Sequence, residues 1–152
     1  MSIKKRIMLF VSTFLIFSSL GIFSVYANTP DDLTIIDATK DSHSQDISPL
    51  GEASCVYSPT GYCEAFARGR GVLYRGSASS HTLVYSNGCA WQCKYCYTVI
   101  ITQGEAAQGM PIGYYATYNP GSATAVNGTV LYTNNIFYTS SSTLPGIHFR
   151  YN

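Results

Sequence analysis

Three of the five cysteines, Cys89, Cys93 and Cys96, stand in C-x3-C-x2-C spacing within Cys89-Ala-Trp-Gln-Cys93-Lys-Tyr-Cys96. Thiols this close can hold a metal as thiolates or be oxidised to disulfides. Cys55 and Cys63 lie upstream, and three of the thiols with His81 would make up a four-ligand zinc set. No second C-x2-C or H-x3-H pair completes a zinc pattern, so neither a metal nor a cofactor is expected. A second set is Glu105, His148 and Arg150. A carboxylate base, an imidazole acid and a guanidinium facing a phosphorane would cleave a phosphodiester. A third is Arg68-Gly-Arg70-Gly-Val-Leu-Tyr74-Arg75-Gly76, read as a glycine-rich loop whose Arg68, Arg70 and Arg75 could grip an anionic group. Three charges are too few for a strong nucleic-acid signal. Trp91 and Tyr95 sit inside the cysteine run, where bridges would hold them rigid at little entropic cost on binding. Arg68, Arg70, Arg75, Trp91 and Tyr95 are therefore the expected ligand-binding residues. No G-x-S-x-G elbow and no phosphate loop is present.

Two of these patterns resemble known families over short stretches. The Cys89–Cys96 run, with an aromatic before its last cysteine, resembles the cluster loop of the radical SAM enzymes. That resemblance implies an iron–sulfur cluster binding S-adenosylmethionine on an α/β barrel. Only 56 residues follow Cys96, and they read as hairpins without βα alternation. The stretch from Leu131-Tyr132-Thr133 to Phe149-Arg150-Tyr151 is similar in texture to the end of the small microbial guanyl-specific ribonucleases. That family needs an Arg between its catalytic Glu and final His, and residues 106–147 contain none.

The compartment decides what the thiols become. Lys4, Lys5 and Arg6 precede an uncharged apolar run from Ile7 to Val25, and Val25-Tyr26-Ala27 offers a cleavage site. Residues 1–27 read as a secretory signal peptide cut after Ala27, giving a secreted or periplasmic chain with no membrane span after cleavage. In an oxidising compartment Cys55, Cys63, Cys89, Cys93 and Cys96 would form two disulfides and leave one thiol over, in any of 15 patterns. The favoured geometry joins the Cys55/Cys63 pair to the Cys89/Cys93/Cys96 group. The odd cysteine could link two chains.

Charge divides the remainder. Residues 28–52 hold six acids against Lys40 alone, whereas residues 53–152 hold five bases against Glu64 and Glu105. The first segment reads as an acidic flexible arm and the second as the folded domain. That domain favours strands. Beyond residue 27 there are twelve Tyr and three Phe, and no window shows helical spacing of apolar positions. Short runs fall at Val72–Tyr74, His81–Ser86, Tyr97–Thr102, Tyr114–Tyr118, Ala123–Val126, Thr129–Thr133, Ile136–Thr139 and Ile147–Tyr151. Turns are expected at Asn87-Gly88, Asn127-Gly128 and Asn134-Asn135. Gly104–Met110 is the one helical piece. The expected fold is all-β, a small antiparallel sandwich or barrel of about seven short strands stapled by disulfides. The tyrosine surplus suits an extracellular binding face for a protein or carbohydrate. The expected function is binding rather than catalysis. A ribonuclease-like hydrolase using Glu105 and His148, or an envelope subunit, stands as the alternative.

Overall fold

Runs of β-branched and aromatic residues form eight strands in the computed structural model, which describes residues 33–40, 55–122 and 128–151. They are β1 (Ile35–Asp37), β2 (Cys63–Ser77), β3 (Ser80–Cys93), β4 (Val99–Thr102), β5 (Gly113–Tyr118), β6 (Thr129–Thr133), β7 (Phe137–Thr139) and β8 (Ile147–Arg150). One 3-10 turn, Ala106–Gln108, lies between β4 and β5, and no α-helix occurs among the described residues. The segments expected as a signal peptide and as a strand at 123–126 lie outside the described residues, as does Asn127. No described helix is long and apolar enough to cross a membrane.

The all-β expectation holds, but the sheet is mixed and open rather than an antiparallel sandwich or barrel. Its order is β1-β6-β2-β3-β4-β5-β7, with β8 also on β2. The β2–β3–β4–β5–β7 pairs are antiparallel. The β1–β6, β2–β6 and β2–β8 pairs are parallel. The cause is the length of β2. One edge pairs with β3, and the other is shared between β8, at residues 63–66, and β6, at residues 71–75. Parallel neighbours need long connections, so local turn signals do not announce them.

Several turn signals lie inside strands. Asn87-Gly88 continues through β3, and the tight turn is Ala78-Ser79 between Ser77 and Ser80. The glycines of the expected Arg68–Gly76 loop lie within β2, where the register shifts between Ala67 and Gly69 and again after Gly71. Gly71 pairs with Gly88. A Cβ on Gly71 would stand 2.8 Å from the Cys89 carbonyl oxygen, and one on Gly88 would stand 2.3 Å from that of Thr102. These glycines bring three backbones together at a bulge, which is a strand role and not a turn role. Asn134-Asn135 does turn the chain, but β6 and β7 do not pair with each other.

Part of the acidic arm is structured. Ile35–Asp37 runs parallel to β6 as an edge strand with Ile36 buried. The Asp37 carboxylate accepts from the Ala78 backbone N–H at 2.9 Å and fastens this strand to the β2–β3 turn. The Thr39 hydroxyl, then the Ala78 amide, hold its carboxyl below the usual range.

All four residues of β4 are buried, as a short continuous apolar run implies for a strand covered on both faces. Ile100 joins a cluster with Trp91, Cys55, Cys63 and Cys93. Val99 and Ile101 join the other, with Leu73, Tyr85, Ala116 and Leu131. The Tyr85 hydroxyl is buried in that second cluster without a hydrogen-bond partner. Tyr85→Phe removes an orphaned polar atom at nearly constant volume. It is expected to leave stability unchanged or raise it by about 1 kcal/mol in urea unfolding. A loss would mean that the hydroxyl is satisfied.

Candidate functional site

The thiols meet on the Trp91 side of the sheet. Cys63 opens β2 and Cys93 closes β3. Because those strands are antiparallel, their ends are neighbours, with Ala65 opposite Cys93. A turn brings in Cys55: the Ser58 N–H donates to the Cys55 carbonyl, the Gly61 N–H to that of Ser58 and the Cys55 N–H to that of Gly61. Cys96 arrives on the loop after β3. The Sγ atoms of Cys55, Cys63, Cys93 and Cys96 lie within 4.8 Å of one another. Cys63 to Cys96 is 3.6 Å and Cys55 to Cys93 is 3.9 Å.

The two expected disulfides are absent as bonds, since a bridge needs about 2.05 Å and all five cysteines are free. The expected grouping of Cys55/Cys63 with the downstream cysteines is present in space. Cys89 stands apart, so the C-x3-C-x2-C loop does not act as one three-thiol unit. His81 is not beside the thiols either. It stacks edge-on with Tyr74 and Tyr132 at the far end of β2.

Within the cluster the thiolate is favoured at Cys96 and the neutral thiol at Cys55 and Cys63. Hydrogen bonds from the Cys63 thiol, then from Cys93 and Thr98, hold Cys96 well below the ordinary thiol range. Cys63, the donor to Cys93 and Cys96, is held well above it. Burial, then the Cys96 neighbour, push Cys55 up to about 11.

A second site lies along β2 and β3 where they bulge. It is an open cleft of about 670 Å³, lined by Arg70, Asn87, Gln103, Glu105, Gln108 and Tyr151, with Cys89 at its base. The Tyr151 hydroxyl donates to Glu105 at 3.1 Å. Burial, then the Glu105 carboxylate, raise the Cys89 thiol, which favours its neutral form.

The expected ligand residues separate. Arg70 lines the cleft, but Arg68 and Arg75 do not. All three belong to strand β2 and not to a loop. Trp91 is no exposed knob. It lies fully buried beneath the cleft floor and donates its indole N–H to Thr102 at 2.7 Å. Tyr95 is half-buried under the Lys94 ammonium, 4.7 Å from its ring centroid.

Glu105 and His148 do not meet. Successive strand residues face opposite ways. His148 and Arg150 share one face of β8 and both bind Glu64, at 3.4 and 3.0 Å. Tyr151 is on the other face, with Glu105. Glu64 is directly opposite His148 in the parallel β2–β8 pair, an ordinary cross-strand ion pair. Arg150 first, and His148 after it, hold the Glu64 carboxyl below its usual 4.5. A carboxyl lowered on folding adds stability above its unfolded value, and that stability is lost as pH falls through the folded value. Arg150→Ala should move the Glu64 midpoint back toward 4.5 in an NMR titration and flatten the acid limb of stability below that pH. An unmoved midpoint would mean that the pair is not formed in solution.

No protein family, characterised protein or solved structure matches the chain.

Proposed function

We propose that the chain is an exported β-domain that works by binding, and that it takes an extracellular or cell-surface carbohydrate in the cleft between Arg70 and Glu105. The observation that carries this reading is the lining of that cleft. Asn87 and Gln108 offer amides that both donate and accept, Gln103 has its amide N–H groups to donate while its oxygen accepts the Tyr114 N–H, Arg70 only donates, and Glu105 accepts. Hydroxyl groups, each a donor and an acceptor, suit such a set. The half-exposed Tyr151 supplies an apolar ring at the rim, against which a sugar face can lie. The buried Trp91 keeps the floor rigid beneath it.

The test is a glycan array, followed by titration of each hit observed through backbone amide shifts. Arg70→Ala and Glu105→Gln should each weaken binding about tenfold or more, as loss of a charged hydrogen bond does, with shifts centred on residues 103–108. Absence of any glycan hit, or shifts elsewhere, would refute the reading. His148→Ala separates it from the hydrolase alternative. A binding domain keeps its ligand affinity, whereas phosphodiester cleavage through His148 would lose about 100-fold in turnover.

A further inference from the structure

The geometry points to a metal centre: Cys55, Cys63, Cys93 and Cys96 bind one zinc ion tetrahedrally as four thiolates. A zinc–sulfur bond of about 2.3 Å sets the edge of a tetrahedron of sulfurs at about 3.8 Å. The Cys63–Cys96 and Cys55–Cys93 separations of 3.6 and 3.9 Å fall on either side of that edge. Bonded cysteines would stand at about 2.05 Å, and four unrelated thiols, three of them buried, have no reason to converge on one point.

The surroundings supply a second, independent observation. Cys55 and Cys96 each have the N–H of the residue two positions on, Tyr57 and Thr98, directed at their sulfur. The Thr98 hydroxyl also lies 3.1 Å from the Cys96 sulfur. Such donors offset the double negative charge of a zinc ion with four thiolates and orient its ligands. The backbone is bent to provide them. Tyr97, directly after Cys96, has φ of 60° and is the one described non-glycine residue with positive φ. A bulky residue held there costs about 1–2 kcal/mol. The bend is closed by the Tyr97 N–H on the Cys93 carbonyl and the Cys93 N–H on the Thr98 carbonyl. Strain of this kind persists where the surrounding structure requires it. Three of the four ligands, Cys55, Cys63 and Cys93, are buried and Cys96 is half-buried, so the position is largely shielded from solvent, as a structural site is.

An S4 donor set suits zinc or iron, and zinc is assigned because it needs no redox partner and survives in air. Loading is an exchange without oxidation. Zn²⁺ displaces to solvent the protons that the four cysteines still carry and forms four Zn–S bonds. Cys89 takes no part, because it faces the cleft.

The test is to purify the full chain without chelator, measure metals by elemental analysis, and record intact mass with alkylation before and after reduction. One zinc per chain is expected, with all five cysteines alkylated without reductant once the protein is denatured with EDTA. Added Co²⁺ should replace the zinc and give the visible bands of tetrahedral cobalt thiolate. Cys89→Ser should keep the full zinc content and Cys63→Ser should lose it. Thr98→Val, which preserves shape, should lower metal affinity about 10–100-fold, so the inference does not depend on Cys63→Ser folding. A chain four hydrogens light, taking up one alkyl group unreduced and holding no zinc, would overturn it in favour of two disulfides. Iron in place of zinc would overturn the choice of metal. A Cys89→Ser variant without zinc would overturn the ligand set.

Discussion

Truncating Trp91 to alanine should cost the domain about 3–5 kcal/mol, a large share of the stability of any domain this size. Trp91 is the largest fully buried side chain, so its removal opens a cavity in the middle of one core cluster. Phe149 meets it edge-on at 5.0 Å and Tyr151 leans on it at 5.8 Å, and both lose that wall. The indole N–H also binds Thr102, a buried hydroxyl that in turn donates to the Gly104 carbonyl. Trp91→Phe keeps much of the volume and breaks only the polar link, so about 1–3 kcal/mol is expected there. Urea unfolding of both variants measures the split. Near-equal losses would show that the hydrogen bond, and not the packing, holds the indole in place.

Substituting Gly88 should be as damaging for a different reason. No φ strain is involved. The obstacle is space, since an added Cβ meets the Thr102 carbonyl oxygen at 2.3 Å and the Tyr85 ring at 2.4 Å. The ring could turn aside, but the backbone carbonyl belongs to β4, which is buried along its whole length. Gly88→Ala is therefore expected to lose about 3 kcal/mol or more, and Gly88→Val to prevent folding at 37 °C. Gly61 provides the contrast. Its φ of 75° disfavours a side chain, but nothing lies within 4 Å of an added Cβ. Gly61→Ala should lose only about 1–2 kcal/mol. Thermal unfolding of the two alanine variants gives the comparison. A Gly88→Ala loss no larger than that at Gly61 would mean that β3 can move off β4. The binding cleft would then be more plastic than its lining implies, because Gly88 forms part of its wall.

Local chemistry was enough to read the strand character of the chain. Side-chain alternation is a property of neighbouring residues, so Ile147–Tyr151 shows which side chains face the core without reference to any partner strand. The crowded β-branched run Tyr97–Thr102 marks a strand, and the structure forms it as β4, buried along its whole length. The short helical piece after Gly104 reduces to one 3-10 turn, as its length allows. The loop expected at Arg68–Gly76 and the turn expected at Asn87-Gly88 are both strand, for one cause. Glycine permits a turn and also permits close approach of backbones, and only the Cys89 and Thr102 carbonyls facing Gly71 and Gly88 decide between them.

The sites were legible as residue types and not as groupings. The C-x2-C of Cys93 and Cys96 was visible, and so was the Ser-Pro-Thr-Gly turn between Cys55 and Cys63 that could have suggested a second thiol pair. The two halves are 38 residues apart at Cys55–Cys93 and 33 at Cys63–Cys96, and it is the antiparallel register of β2 on β3 that superposes them. The sequence pairs His148 with a carboxylate, but the parallel register of β8 on β2 makes it Glu64, 84 residues away, in place of Glu105. Which residues alternate, which runs are apolar and which side chains can ionise or ligate depend on covalent neighbours, and so can be read along the chain. Tertiary structure alone decided which of them meet, because pairing of distant strands is set by the packing of the whole sheet, and no local signal encodes it.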